Sequence, residues 1–160
     1  METKKKTKVL IALDYDVSAQ KVAEIGYAMG KAMKAEIILL HVVTDPVFYA
    51  SKEYSPILGF GGNAEMGQIQ LDSVKGLQKA SKHFLTKTKT HLGDKKIKIL
   101  VKDGDYSDCI LEAAKELNVG IIVMGSHSRN WLQSIVLGSV SERVMHHTLV
   151  PVFIVPTRKT

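Results

Sequence analysis

Apolar and polar residues follow two rhythms along this chain. Unbroken apolar runs at 8–13 (KVLIAL), Glu36–Val43 (EIILLHVV), 119–124 and Val152–Val155 (VFIV) read as strands buried on both faces, and 96–101 as a shorter one. Between them apolar residues recur at helical spacing. Ser18 is the expected N-cap of a first helix, with Val22, Ile25, Met29 and Met33 as its inner stripe. A long helix is expected over about 64–92, with Val74, Leu77, Phe84 and Leu85 facing inward and Gly93 as its stop. Asp105 caps a third helix that has Asp108 at its third position and Ile110, Leu111, Ala114 and Leu117 facing inward. A last helix covers 140–147, preceded by Ser139-x-x-Glu142, which has the form of a capping box. Strand and helix alternate throughout. The pattern predicts an α/β fold: a five-stranded parallel, doubly wound, Rossmann-like sheet with helices on both faces, one domain over residues 1–160.

Residues 44–62 interrupt this alternation. Pro46, Pro56, Gly59, Gly61 and Gly62 stand among four aromatics, and the segment reads as a long, partly mobile connection. Composition adds exclusions. Mean hydropathy is +0.02 and no apolar run approaches the roughly 18 residues of a membrane span, so no membrane partner is expected. The apolar run behind the basic N-terminus is too short for a signal peptide, which makes the cytoplasm the expected compartment. Cys109, the single cysteine, excludes an internal disulfide and reads as a small core residue. The net charge is +6. Its lysines lie at the N-terminal end, along the long helix and beside the third strand, without interleaved aromatics. They read as solvated faces, and no nucleic-acid partner is expected.

The candidate chemistry lies in one loop. Gly125-Ser126-His127-Ser128, nine more residues, then Gly138-Ser139 join the fourth strand to the last helix. Such a strand-to-helix loop is where α/β folds bind phosphate, because the first-turn N–H groups lack acceptors and the helix dipole favours negative charge. Ser139 and Ser141 add hydroxyls. The alternative is local punctuation: Gly125 ends a strand and Gly138 starts a helix. Asp14, after the first strand, can accept bonds from a ribose hydroxyl, hold Mg²⁺ through water, or cap the following turn. Val42 could offer peptide groups to an adenine edge. His41 beside it reads as a core or cleft-wall histidine. His146 and His147 are adjacent on a helix and point about 100° apart, so no metal site is expected from them. No P-loop lysine motif, G-x-G-x-x-G after the first strand or nucleophile elbow is present, so no catalytic residue is assigned.

The loop, the strand ending in Asp14, the long middle excursion and the closing Pro151-Val152-Phe153-Ile154-Val155 together resemble the universal stress protein family over essentially the whole chain. The loop is similar to that of the ATP-binding branch, with Ser128 where that branch has a second glycine. The resemblance implies an adenine nucleotide alpha hydrolase-like fold. It also implies a stress-response regulatory protein that binds ATP or another adenine nucleotide, with Mg²⁺, and hydrolyses it very slowly or not at all. Ala12, Leu13 and Asp14 would contact adenine and ribose, and Val42 the adenine edge. Gly125, Ser128, Gly138, Ser139 and Ser141 would line the phosphates, with Val140 presenting an amide. A homodimer paired through Val152–Val155 is implied. The family also has a branch without nucleotide, so a dimeric interaction module of the same fold is the alternative. Acidic residues at Asp14, Asp16 and Asp103 imitate a phosphorelay receiver, but the excursion after the second strand is too long for one.

Overall fold

In a computed structural model of the chain, which describes residues 5–44, 74–126 and 138–157, the five apolar runs lie side by side in one parallel sheet. The strands are β1 (Lys8–Ala12), β2 (Glu36–Val43), β3 (Lys98–Asp103), β4 (Ile121–Gly125) and β5 (Val152–Val155), in the order β3-β2-β1-β4-β5. Leu10 of β1 is aligned with Ile38 of β2 on one side and Ile122 of β4 on the other. Four helices are described: α1 (Ala19–Ala32), α2 (Val74–Leu92), α3 (Tyr106–Glu116) and α4 (Ser139–His147). The excursion at 45–62, the first part of the expected long helix (64–73) and loop residues 127–137 lie outside the described residues.

Because side chains alternate across a strand, each strand feeds two cores. Val9, Ile11, Ile37 and Leu39 face α1 and α2. Leu10, Ile38, Leu40 and Ile122 face α3 and α4. This explains why the strand sequences are apolar without alternation. Among the described residues no helix is long and apolar enough to cross a membrane.

Several boundaries differ from expectation for local reasons. β3 begins at Lys98 because Asp94 folds the preceding residues into a turn, accepting the Lys96 N–H on its side chain at 2.9 Å and the Ile97 N–H on its carbonyl at 3.3 Å. β4 begins at Ile121 because the Val119 N–H still closes the end of α3, bonding the Ala114 carbonyl at 2.9 Å. Ser18 is the N-cap of α1, but its side chain caps nothing. Asp16 shapes that turn instead, accepting the Ser18 N–H on its carboxylate at 2.9 Å. Asp105 caps α3 as its sequence implied, with its carboxylate 3.0 Å from the Asp108 N–H.

The inner face of α1 is the main surprise. Ile25 and Met33 are exposed, and the helix buries Ala19, Val22, Ala23, Gly26 and Gly30. It lies so close to the sheet that a Cβ on Gly26 would sit 2.9 Å from Ile11 Cδ1. On the same criterion a Cβ on Gly30 would overlap Ile37 Cδ1. Small residues are what allow the approach, and the large apolar residues are left at its margin.

Candidate functional site

The strand order reverses between β1 and β4. From β1 the chain moves outward to β2 and β3, then returns to place β4 and β5 on the other side. Loops leaving neighbouring strands in opposite directions open a crevice at their carboxyl ends. There the structure has a cleft lined by residues of β1, β2, β4, α1, α3 and α4. β1 and β4 supply its floor, Ala19 and Val22 of α1 one wall, and Ile110 and Val140 of α3 and α4 the other. The lining is largely apolar, so a flat hydrophobic ring would be desolvated there at little cost.

Asp14 is the acidic group of this cleft. Its Oδ1 accepts the Tyr15 N–H at 2.8 Å and the Tyr106 hydroxyl at 2.9 Å. Two donors on one oxygen fix the plane of the carboxylate. Tyr106 is the first residue of α3 and lines the cleft too. Its position is set by the Asp105 cap. The Asp108 N–H, then the Ser107 hydroxyl and the Arg143 guanidinium, hold the Asp105 carboxyl below the usual carboxylate range. Arg143 spans from α4 to Asp105 at 3.4 Å and to Asp108 at 3.0 Å. One cation thus ties together the two helices that flank the cleft.

At the opposite end of the cleft, α4 starts one residue earlier than expected. Gly138 is its N-cap, in extended backbone (φ −58°, ψ 152°), and Ser139 is already helical. The expected Ser139–Glu142 capping box does not form, because the N-cap is Gly138, which has no side chain. The Glu142 N–H bonds the Gly138 carbonyl at 2.9 Å. The N–H groups of Ser139, Val140 and Ser141 therefore have no acceptor within the helix. Two loop amides are spent on the protein itself: Gly138 N–H on the Ser126 carbonyl (2.8 Å) and Ser126 N–H on the Val155 carbonyl (2.9 Å). The Ser141 hydroxyl donates to the Gly125 carbonyl at 2.9 Å, so this side chain ties α4 to the end of β4.

Of the residues singled out in the sequence, Ala12, Leu13, Asp14 and Val42 line the cleft from β1 and β2, and Gly125, Val140 and Ser141 from β4 and α4. Gly138 and Ser139 stand at the start of α4, just before the cleft-lining Val140, and do not line the cleft themselves. Ser128 lies outside the described residues, as does His127. The Leu13 backbone is engaged on both sides. Its N–H bonds the Leu40 carbonyl at 2.8 Å, and its carbonyl accepts Nδ1–H of the buried His41 at 2.8 Å. What Leu13 offers a ligand is its side chain. His41 packs edge-on against Phe84, with ring centroids 5.6 Å apart, and is a core residue. The Leu40 carbonyl points toward β1 and the Val43 carbonyl toward the β3 side, where it meets Gly104. By alternation the Val42 peptide groups point to the β1 side, past the last residue of that strand. Tyr106 is the polar cleft residue that the sequence reading missed. The signal available was its place directly after a capping aspartate at the carboxyl end of a strand.

Comparison with known proteins agrees with this architecture. A sequence model of the Universal stress protein family matches residues 6–156. Universal stress protein MJ0577 of Methanocaldococcus jannaschii is 30% identical over 153 residues, covering 91% of this chain and 94% of its own length. A solved structure of MJ0577 superposes with a TM-score of 0.68 at 26% identity, covering 96% of this chain and 98% of that one. A universal stress protein from Archaeoglobus fulgidus in complex with dAMP has the same fold, with a TM-score of 0.57 at 15% identity and coverage of 92% and 96%.

Proposed function

The chain belongs to the universal stress protein family, and on that premise we propose that it is a regulatory protein whose cleft binds an adenine nucleotide, ATP in the first instance. One observation carries this reading. A single apolar cleft at the reversal of strand order has a fixed carboxylate at one end and the start of a helix at the other. The carboxylate accepts ribose hydroxyls, the apolar walls take the base, and the N–H groups of Ser139, Val140 and Ser141 take phosphate oxygens. Val42 meets the adenine edge. Gly125 and Gly138, which carry no side chains, leave room for the phosphate tail. The dAMP complex of the A. fulgidus protein is compatible with such a ligand in this fold.

Among the described residues no three His, Cys, Asp or Glu side chains cluster to hold a metal. Mg²⁺ would therefore arrive on the phosphates with its waters. Among the described residues no cleft side chain is assigned as a catalytic base, and hydrolysis is proposed to be absent or very slow. The protein is proposed to act in the cytoplasm. It is proposed to act as a homodimer joined at β5. That strand is an edge of the sheet, and Phe153 on it is 41% exposed; Met145 and Leu149, nearby in sequence, are exposed as well. Phe153→Asp is expected to yield a monomer in size-exclusion chromatography with light scattering.

A second reading, a dimeric module with an unused cleft, is favoured by the amides of Ser126 and Gly138 already being spent on the protein's own carbonyls. A thermal-shift titration with Mg·ATP separates the two. At a ligand concentration 100 times Kd, binding stabilises the fold by about 2.7 kcal/mol. An unchanged Tm at millimolar Mg·ATP would leave only the module.

A further inference from the structure

Five lysines gather at the other end of the sheet, away from the cleft. A groove of about 520 Å³ runs beside the N-terminal ends of β2 and β3. Five ammonium groups line it: Lys6 before β1, Lys31 and Lys34 at the end of α1, Lys96 in the turn before β3, and Lys98 at the start of that strand. Two carboxylates share the groove, and both are already engaged. Lys98 Nζ lies 2.6 Å from Glu36 Oε1, and Lys31 Nζ lies 3.6 Å from Asp94 Oδ2. The Lys98 hydrogen bond, with the charges of Lys98, Lys8 and Lys6, holds the Glu36 carboxyl below its usual range. Lys6, Lys34 and Lys96 are exposed and pair with no carboxylate among the described residues.

A cation at the end of α1 has a local reason, since the helix dipole favours positive charge there. That reason covers Lys31 and Lys34 but not Lys6 or Lys96, which come from other segments. Lys34 also holds a left-handed backbone (φ 54°). This is the C′ position of a Schellman turn, with Ala35 N–H on the Gly30 carbonyl at 2.9 Å and Lys34 N–H on the Lys31 carbonyl at 3.0 Å. Glycine fits there without strain, and an L side chain does not.

We propose that this groove is a second anion site, separate from the nucleotide cleft, and that its ligand is a linear oligophosphate. The lining chemistry selects that class. Lysines bind phosphate oxygens as point charges, and among the described residues no arginine lines the groove to impose the planar fork suited to carboxylates. Among the described residues no aromatic side chain lines the groove, and the nearby Tyr27 is engaged by Asp94 and Lys31, which disfavours stacking of a nucleobase. Its apolar residues, Ala35, Ile37 and Ile97, are largely covered and cannot insert into a bilayer.

Isothermal titration of the full chain with sodium tripolyphosphate tests the proposal. The triple variant K6Q/K34Q/K96Q is expected to bind at least tenfold more weakly. A control with the same loss of charge on α2, K75Q/K79Q/K82Q, is expected to stay within twofold of wild type. Ser139→Asp, which places a carboxylate at the start of α4, is expected to leave tripolyphosphate binding intact while weakening ATP. The site is overturned if wild type binds no tripolyphosphate, or if the two lysine triples lose affinity equally. It is equally overturned if Ser139→Asp abolishes the binding, which would place the ligand in the cleft. Tighter binding of a short poly-glutamate would overturn the choice of phosphate. The comparison of the two lysine triples does not depend on whether the cleft holds a nucleotide.

Discussion

Replacing Gly26 with alanine puts a methyl group where the sheet already stands. The new Cβ would lie 2.9 Å from Ile11 Cδ1, 3.1 Å from Ile11 Cγ1 and 3.1 Å from Val123 Cγ1. Carbon atoms prefer separations of about 3.5–4.0 Å, so α1 and the sheet must part by roughly half an ångström. Two effects oppose each other. Alanine improves on glycine inside a helix by about 1 kcal/mol. Overpacking a filled core costs about 1–3 kcal/mol. Ile11 and Val123 are fully buried, β-branched and set in adjacent central strands, so neither can rotate aside freely. The cost falls in the upper part of its range, and the net expectation is a loss of about 1–2 kcal/mol. Urea unfolding followed by circular dichroism should show a lower midpoint with an unchanged slope. Ala19 and Val22 on the same helix line the cleft, so the shift should also weaken ATP binding. If Gly26→Ala were instead more stable than wild type, α1 would not be pressed against β1 and β4, and the cleft wall described here would be wrong.

Three further outcomes follow from single groups. Tyr106→Phe removes the hydroxyl that holds Asp14 Oδ1, and ATP affinity measured by titration calorimetry should fall about 3- to 10-fold, the worth of one net hydrogen bond. Unchanged affinity would mean that this pair does not read the ribose. Asp105→Ala removes the cap of α3 and should cost about 1 kcal/mol at neutral pH. Because the folded carboxyl titrates below its unfolded value, that contribution is complete above about pH 4 and disappears as pH falls through the depressed value. The wild type and the variant should therefore converge in acid, and a gap that persisted at pH 2 would contradict the assignment. Cys109 is 6% exposed and burial pushes its thiol pKa up, so a disulfide reagent should label it only as the fold opens. Complete labelling of the native protein within seconds would show that α3 is not seated as described.

Much of the fold was legible because strands buried on both faces leave a plain mark. β2 and β5 carry the bounds their apolar runs implied, and Asp105 announced the start of α3. The inner face of α1 was not legible. Helical periodicity picks out large apolar residues, but close approach to the sheet favours Ala23, Gly26 and Gly30 and leaves Ile25 and Met33 exposed. The capping box at Ser139 failed for a related reason. The motif fixes spacing, yet the Ser126 carbonyl holds Gly138 at the N-cap and moves Ser139 into the first turn. At the cleft, Asp14 and Val42 could be placed from the ends of their strands. Tyr106 could not, since its partner is 92 residues away and only the sheet order brings the two together.

The central claim is that one cleft holds an adenylate between Asp14 and the first turn of α4. A crystal structure grown with Mg·ATP tests it most directly. The account predicts ribose hydroxyls on the Asp14 carboxylate beside Tyr106, and phosphate oxygens on the N–H groups of Ser139, Val140 and Ser141. Those three N–H groups bonded to the protein's own carbonyls, with the cleft closed and no nucleotide in it, would contradict the account.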